Sequence, residues 1–250
     1  MMLQRLRCAT IGLGYVFVFF AATTARGQLE LTLSDMILSP GATITANDKV
    51  FSNFQLVSMT TTGGGIVTLD QITVIPLADD PLNPGLKFTA PVGALGTPFG
   101  HDGPATALLT FSFDVQTTSG LPLIKDNSLL INDFIFDAST AALIRISEQV
   151  QNATGGALGF KQVLAVTGDQ PNSGNPNHFD SAEFAPTAFL HVIKSIEILG
   201  PGENDGAFLK MFQQRFSQVP EPSSLALVIL SAACWTLRTP ARRRPSLACD

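Results

Sequence analysis

The sequence predicts an all-β protein: an antiparallel β-sandwich of jelly-roll type, with a single C-terminal hydrophobic helix. Three observations carry this reading. Short runs alternate apolar and polar residues at period two, Gly and Pro clusters separate them, and the interior shows no convincing amphipathic helix. The chain has 250 residues with 21 Gly and 16 Pro. A β-barrel is the alternative closure of the same strands.

Residues 1–27 read as a secretory signal peptide. Arg5 and Arg7 form the positive region, residues 11–20 the apolar stretch, and small residues follow up to Gly27. The apolar stretch is too short for a span of about 20 residues, which argues for cleavage over a retained anchor. Cleavage follows Ala25 or, with Ala25 and Gly27 as the small residues of the site, falls before Gln28, the preferred mature start.

Residues 28–218 form the expected β-sandwich body. The clearest strand is 107–116, where Ala107, Leu109, Phe111, Phe113 and Val115 face one way and Thr110, Ser112, Asp114 and Gln116 the other. One face is buried and the other wet, as in an antiparallel sheet solvated on one side. Residues 143–150 repeat the pattern, with Ile144, Ile146 and Val150 inward and Arg145, Ser147 and Gln149 outward.

Other β-rich runs are 29–33, 55–59, 66–77, 86–89, 128–136, 160–167 and 189–199. Residues 207–216 read as a final strand, although Phe208, Phe212 and Phe216 also suit a helical period. Gly63, Gly64 and Gly65 mark a hairpin turn, and residues 168–180 the longest polar loop.

The body carries eight Lys and Arg against 18 Asp and Glu. A face of that sign disfavours nucleic acid. Cys8, Cys234 and Cys249 all lie outside the body, which excludes a disulfide framework, thiol catalysis and zinc-cysteine sites within it. Every aromatic residue of the body is Phe, because Tyr15 and Trp235 sit in the terminal segments. Phe lacks the polar handle of the rings that sugar-binding surfaces favour, and is expected in the core.

At the C-terminus Pro220, Glu221 and Pro222 precede two serines, an apolar run at 225–237 and the basic group Arg242, Arg243 and Arg244. Thirteen helical residues span roughly 20 Å, less than a hydrocarbon core of about 30 Å, so the helix suits a temporary anchor. The arginines stay on the cytoplasmic side by the positive-inside rule, which leaves the body outside.

In this order and position the segment 219–244 resembles the sorting signal of PEP-CTERM proteins. The resemblance implies that Pro220, Glu221 and Pro222 are the recognition motif, 225–237 the membrane segment, and Arg242, Arg243 and Arg244 the stop, with 245–250 as a cytoplasmic end. It further implies an exosortase-type membrane processing enzyme as partner, and delivery to the cell surface or to exopolysaccharide. The bodies of such proteins vary, so the resemblance implies no activity.

Candidate sites within the body are sparse. Asp169, Asn172, Asn175, Asn177 and Asp180 offer hard oxygen donors of the kind calcium takes, though polar turn chemistry explains the same residues and the spacing is not that of an EF-hand. Asp79 and Asp80 are a weaker calcium candidate. His101, His178 and His191 lack close ligand spacing. Asp133 and Asp137 share a strand face as a glycosidase pair would, without Trp or Tyr to hold a sugar. No nucleophile motif, metalloprotease motif or P-loop occurs. Asn152 to Thr154 matches the glycosylation sequon, a frequent chance match that matters only in a eukaryotic or similarly equipped host.

The expected protein is therefore non-enzymatic and exported, of structural or adhesive type at the cell surface or in the extracellular matrix. A carbohydrate- or calcium-binding module associated with exopolysaccharide or other surface proteins is the alternative.

Overall fold

The computed structural model describes residues 30–118, 122–138 and 141–219. The signal peptide, Pro220, Glu221, Pro222, the 225–237 helix and the terminal arginines lie outside the described residues. Among those described, no helix is long and apolar enough to cross a membrane.

Among the described residues, fourteen strands form two antiparallel sheets. In chain order they are β1 (Leu31–Thr32), β2 (Ile44–Ala46), β3 (Lys49–Thr62), β4 (Ile66–Val67), β5 (Thr73–Leu77), β6 (Gly85–Thr89) and β7 (Leu95–Thr97). There follow β8 (Ala105–Thr117), β9 (Ile124–Asp137), β10 (Leu143–Gln151), β11 (Ala157–Val166), β12 (Phe179–Thr187), β13 (Phe189–Gly200) and β14 (Gly206–Gln218).

The first sheet contains the order β6-β14-β9-β12 and the second β8-β13-β10-β11. That alternation between sheets is the strand order of a jelly roll. β5 and β1 extend the first sheet beyond β6, β7 and β4 continue it beside the start of β14, and β3 and β2 extend the second beyond β8.

Phenylalanines hold the sheets together. Phe88 of the first sheet meets Phe111 and Phe113 of the second at 5.6 and 6.5 Å between ring centroids. Phe216 meets Phe51 at 5.6 Å, and Phe88 stacks on Phe212 at 4.6 Å. Rings of this size supply much of the apolar area removed from water at the interface. The predicted strand 107–116 lies within β8, with its five apolar residues all buried. Residues 207–216 are strand, and β14 sits at the centre of the first sheet.

Four expectations need correction. Residues 29–33 are not one strand: β1 ends at Thr32, and Leu33–Leu38 form a short helix, α1. Thr32 accepts from the Asp35 N–H at 3.1 Å while Asp35 accepts from the Thr32 N–H at 3.1 Å, a capping box that starts the helix. The glycine turn does not join a hairpin: β3 lies in the second sheet and β4 in the first, so Gly63 (φ +55) and Gly64 (φ +87) carry the chain between sheets.

Residues 66–77 break into β4, a 3-10 turn at Leu69–Gln71, and β5. Finally, β12 begins at the end of the predicted loop. It is an edge strand with both faces largely wet and a proline inside it, so no hydrophobic alternation marks it.

Candidate functional site

The outer face of the second sheet carries a row of polar side chains across four adjacent strands. Registers His191↔Asp114 and Gln151↔His191 align β8, β13 and β10. Asn53 joins from β3, where the register slips between Ser52 and Gln55 and Asn53 takes φ +53. The bulge turns its amide toward β8.

Asn53 Nδ2 donates to Asp114 Oδ2 at 3.0 Å, and Gln55 Nε2 to Asn53 Oδ1 at 2.8 Å. His191 Nδ1 lies 2.7 Å from Asp114 Oδ1. A carboxylate only accepts, so Nδ1 bears the hydrogen in this contact.

The row floors a cleft of about 320 Å³, walled by Phe189 and by the β10–β11 loop at Asn152, Ala153 and Gly155. Asn152 Oδ1 accepts from the N–H of Thr154 (3.0 Å) and of Gly156 (2.8 Å), which stiffens that wall. Phe160, paired with Gln149 on the same sheet, is 64% exposed. Not every Phe of the body is therefore core, contrary to expectation: Phe160 and Phe179 are more than half exposed, and Phe99 is part-exposed while its ring packs on Phe208.

The inner face of the same sheet holds charge. Glu148 on β10 pairs in register with Lys161 on β11 and Lys194 on β13, and all three are fully buried. Asn127 of β9 and Gln214 of β14 approach from the opposite sheet, both buried.

Glu148 Oε1 accepts from Lys161 Nζ at 2.5 Å, Asn127 Nδ2 at 2.6 Å and Gln214 Nε2 at 2.8 Å. Glu148 Oε2 accepts from Lys194 Nζ, and Lys161 Nζ also donates to Asn127 Oδ1. Lys194 Nζ lies 5.5 Å from the centroid of the Phe212 ring.

Burial pushes the Glu148 carboxyl up, but the two lysines outweigh it and hold it below its ordinary value of 4.5. Burial pushes Lys194 below its ordinary 10.5; Glu148 opposes that shift and Lys161 adds to it.

This cluster is the part of the molecule that the sequence reading missed. The signal was present: Glu148 falls in phase with Ile146 and Val150, Lys161 with Val163 and Ala165, and Lys194 with Val192 and Ile196. A charged residue in phase with buried apolar ones is the anomaly to look for.

The predicted calcium residues serve as turn formers and strand tethers. Asp169 accepts from the Val166 N–H (2.9 Å) and from Asn175 Nδ2 (3.0 Å), and lies 3.2 Å from His178 Nε2. Asn175 accepts from the Asn177 N–H at 3.0 Å, and Asn172 takes φ +56 in the turn. Asp180 instead accepts from the Gln162 N–H of β11 at 2.8 Å. Among the described residues, no group of three or more His, Cys, Asp or Glu side chains is arranged to hold a metal ion.

The remaining candidates separate. Asp79 is bidentate with Arg215, and Asp80 accepts from the Leu82 N–H at 2.9 Å. Asp133 pairs with Lys210 at 2.6 Å. His101 meets the Asp205 carbonyl at 2.8 Å, so the three histidines occupy three different surroundings.

No family model matches the chain, and neither does any curated protein. Solved structures with some likeness include TmCBM27, a carbohydrate-binding module described by its mannan recognition. It is 10% identical, with 67% of this chain and 90% of that chain covered and a TM-score of 0.33. TmCBM61, solved with β-1,4-galactotriose, is 14% identical over 63% of this chain and 88% of that one, with a TM-score of 0.25. A DUF4465 family protein from Bacteroides caccae is 8% identical over 73% and 98%, with a TM-score of 0.21. Superpositions this loose assign neither ligand nor activity.

Proposed function

We propose that this chain is an exported, non-catalytic protein of the cell surface or extracellular matrix that holds polysaccharide on the outer face of its six-stranded sheet. The observation that carries the reading is the row Asn53, Asp114, His191 and Gln151, lying in a cleft beside Phe189, with Gln55 donating to Asn53. Amide, carboxylate and imidazole groups present donors and acceptors at the spacing of neighbouring strands, as a hydroxyl-rich chain requires. Phe189 and the exposed Phe160 offer ring faces against which a sugar can lie.

Export rests on the resemblance of both termini to targeting signals. Pro220, Glu221 and Pro222 would be read by an exosortase-type enzyme, with Arg242, Arg243 and Arg244 removed in the tail.

Affinity electrophoresis of the full-length protein in gels containing host exopolysaccharide, mannan or β-galactan tests the binding. The expected result is retardation in at least one gel that falls at least tenfold in a His191→Ala, Asp114→Ala double variant that remains folded, with a single cooperative melting transition. Wild-type migration unaffected by every glycan, or equal retardation of the variant, overturns the reading. Repeating the gels with a chelator decides whether calcium at Asp169, Asn172, Asn175, Asn177 and Asp180 contributes.

A further inference from the structure

The body contains no cysteine, so no disulfide can brace it outside the cell. Its core nevertheless places an amine, an amide and a carboxyl group in mutual contact. Lys161 Nζ touches the Asn127 side-chain carbonyl, and a single oxygen of Glu148 bonds both to Lys161 Nζ and to Asn127 Nδ2. All three side chains are buried in the cleft between the sheets.

We propose that Lys161 and Asn127 condense within the folded protein into an amide cross-link between the two sheets, with Glu148 carrying the protons. The unprotonated amine of Lys161 attacks Cγ of Asn127, and the carbonyl electron pair moves onto Oδ1. Glu148 Oε1 takes a proton from Nζ and delivers it to Nδ2. The electron pair then returns, the Cγ–Nδ2 bond breaks, and ammonia leaves as the Nζ–Cγ bond is completed. One amide replaces another, so the step needs no oxidant, metal or cofactor.

Three features favour it. Glu148 touches both the attacking and the leaving nitrogen, which is the position a proton carrier needs. The fold holds the reactants in contact, and effective molarities of well-oriented groups reach about 10⁵–10⁸ M. Water, which would otherwise hydrolyse an activated amide, is excluded.

Charge supplies the driving imbalance. One carboxylate faces two lysines in a dry site, so with both amines protonated one positive charge is uncompensated. Condensation removes the Lys161 cation, because the proton that its ammonium gives up leaves with the ammonia as ammonium, and Glu148 stays paired with Lys194 alone. The linked residues lie 34 positions apart, on β9 of one sheet and β11 of the other. The bond would therefore resist separation of the two layers.

Denaturing mass spectrometry with peptide mapping of the full chain tests this. The expected wild-type product is a branched peptide joining Asn127 to Lys161, lighter than its two linear parts by one ammonia. Lys161→Arg and Asn127→Ala give linear peptides only. Asn127→Asp condenses with loss of water instead, so its branched product has the same mass as the wild type's. Glu148→Ala abolishes the branch. If that variant fails to fold, the Asn127→Asp comparison decides alone: equal masses support the bond, and masses differing as amide and acid differ overturn it. Folded wild-type protein yielding only separate linear peptides also overturns it.

Discussion

The two faces of β10, β11 and β13 differ in a way their composition does not suggest. The outer face near the middle of these strands presents Ser147, Ser195 and Gln162, uncharged and solvated, in register with one another. One residue along, the inner face presents Glu148, Lys161 and Lys194, charged and dry. In water a charged group needs no partner; in the core it must find one on a neighbouring strand. Strand register, which aligns the three residues, is therefore under far tighter constraint on the inner face than on the outer.

The largest effect expected from breaking this contrast is Glu148→Ala. It strands two buried ammonium groups and should cost about 3–5 kcal/mol, measured by urea unfolding. Phe113→Ala, a purely apolar loss in the same core, should cost a similar amount of about 3–5 kcal/mol. A Glu148 variant no less stable than wild type would show that the cluster is hydrated in solution.

Acidity probes the same cluster next. The folded carboxyl of Glu148 lies below its unfolded value of 4.5, so its contribution to stability is present above that value and is lost as pH falls through the folded one. Lys194 also lies below its unfolded value, 10.5, and for an amine this means the folded state releases its proton first. Its burial therefore opposes folding at neutral pH, and stability should rise as pH climbs toward 10.5. Unfolding midpoints that fall on the alkaline side as far as 10.5 would contradict the burial of Lys194.

Lys194→Met sharpens the comparison. In an Asn127→Ala background, where Lys161 stays an amine, it removes the surplus cation and leaves Glu148 paired with Lys161, so stability should change by less than about 1.5 kcal/mol in either direction. On the outer face His191→Ala should cost about 1 kcal/mol or less, because its pair with Asp114 is partly solvated, while weakening retention on polysaccharide. Smallest is Phe160→Ser: within about 0.5 kcal/mol in stability, again with weaker retention. A large loss of stability in that variant would mean that the ring is packed and not displayed.

Much of the fold was legible because strands with one wet face announce themselves. β8, β10 and β13 show alternation over many residues, and Gly and Pro mark their ends. β2, β7 and β12 did not show: two are three residues long and the third has no buried face to pattern. α1 was legible in principle through Thr32 and Asp35, but a six-residue helix has too little periodicity to compete with a strand reading.

The candidate site was hardly legible. Asp114 and Gln151 are ordinary outward residues until His191 and Asn53, 77 and 61 positions from Asp114, are brought beside it. The loop carboxylates that attracted attention as metal ligands turned out to bond their own backbone and neighbouring strands, as short polar side chains do wherever a turn leaves N–H groups without a sheet partner.

Local alternation, turn residues and the absence of body cysteines thus determined by themselves an all-β, disulfide-free body with an acidic surface and a Phe-rich interior. Those properties depend on neighbours in the chain, which the sequence lists directly. Which strands lie side by side, and hence that Asn127, Glu148 and Lys161 meet in one dry pocket while Asp114 and His191 meet in a wet one, was decided only by the tertiary structure. Pairing between distant strands depends on how two whole hydrophobic faces close on each other, and no local stretch of sequence records that.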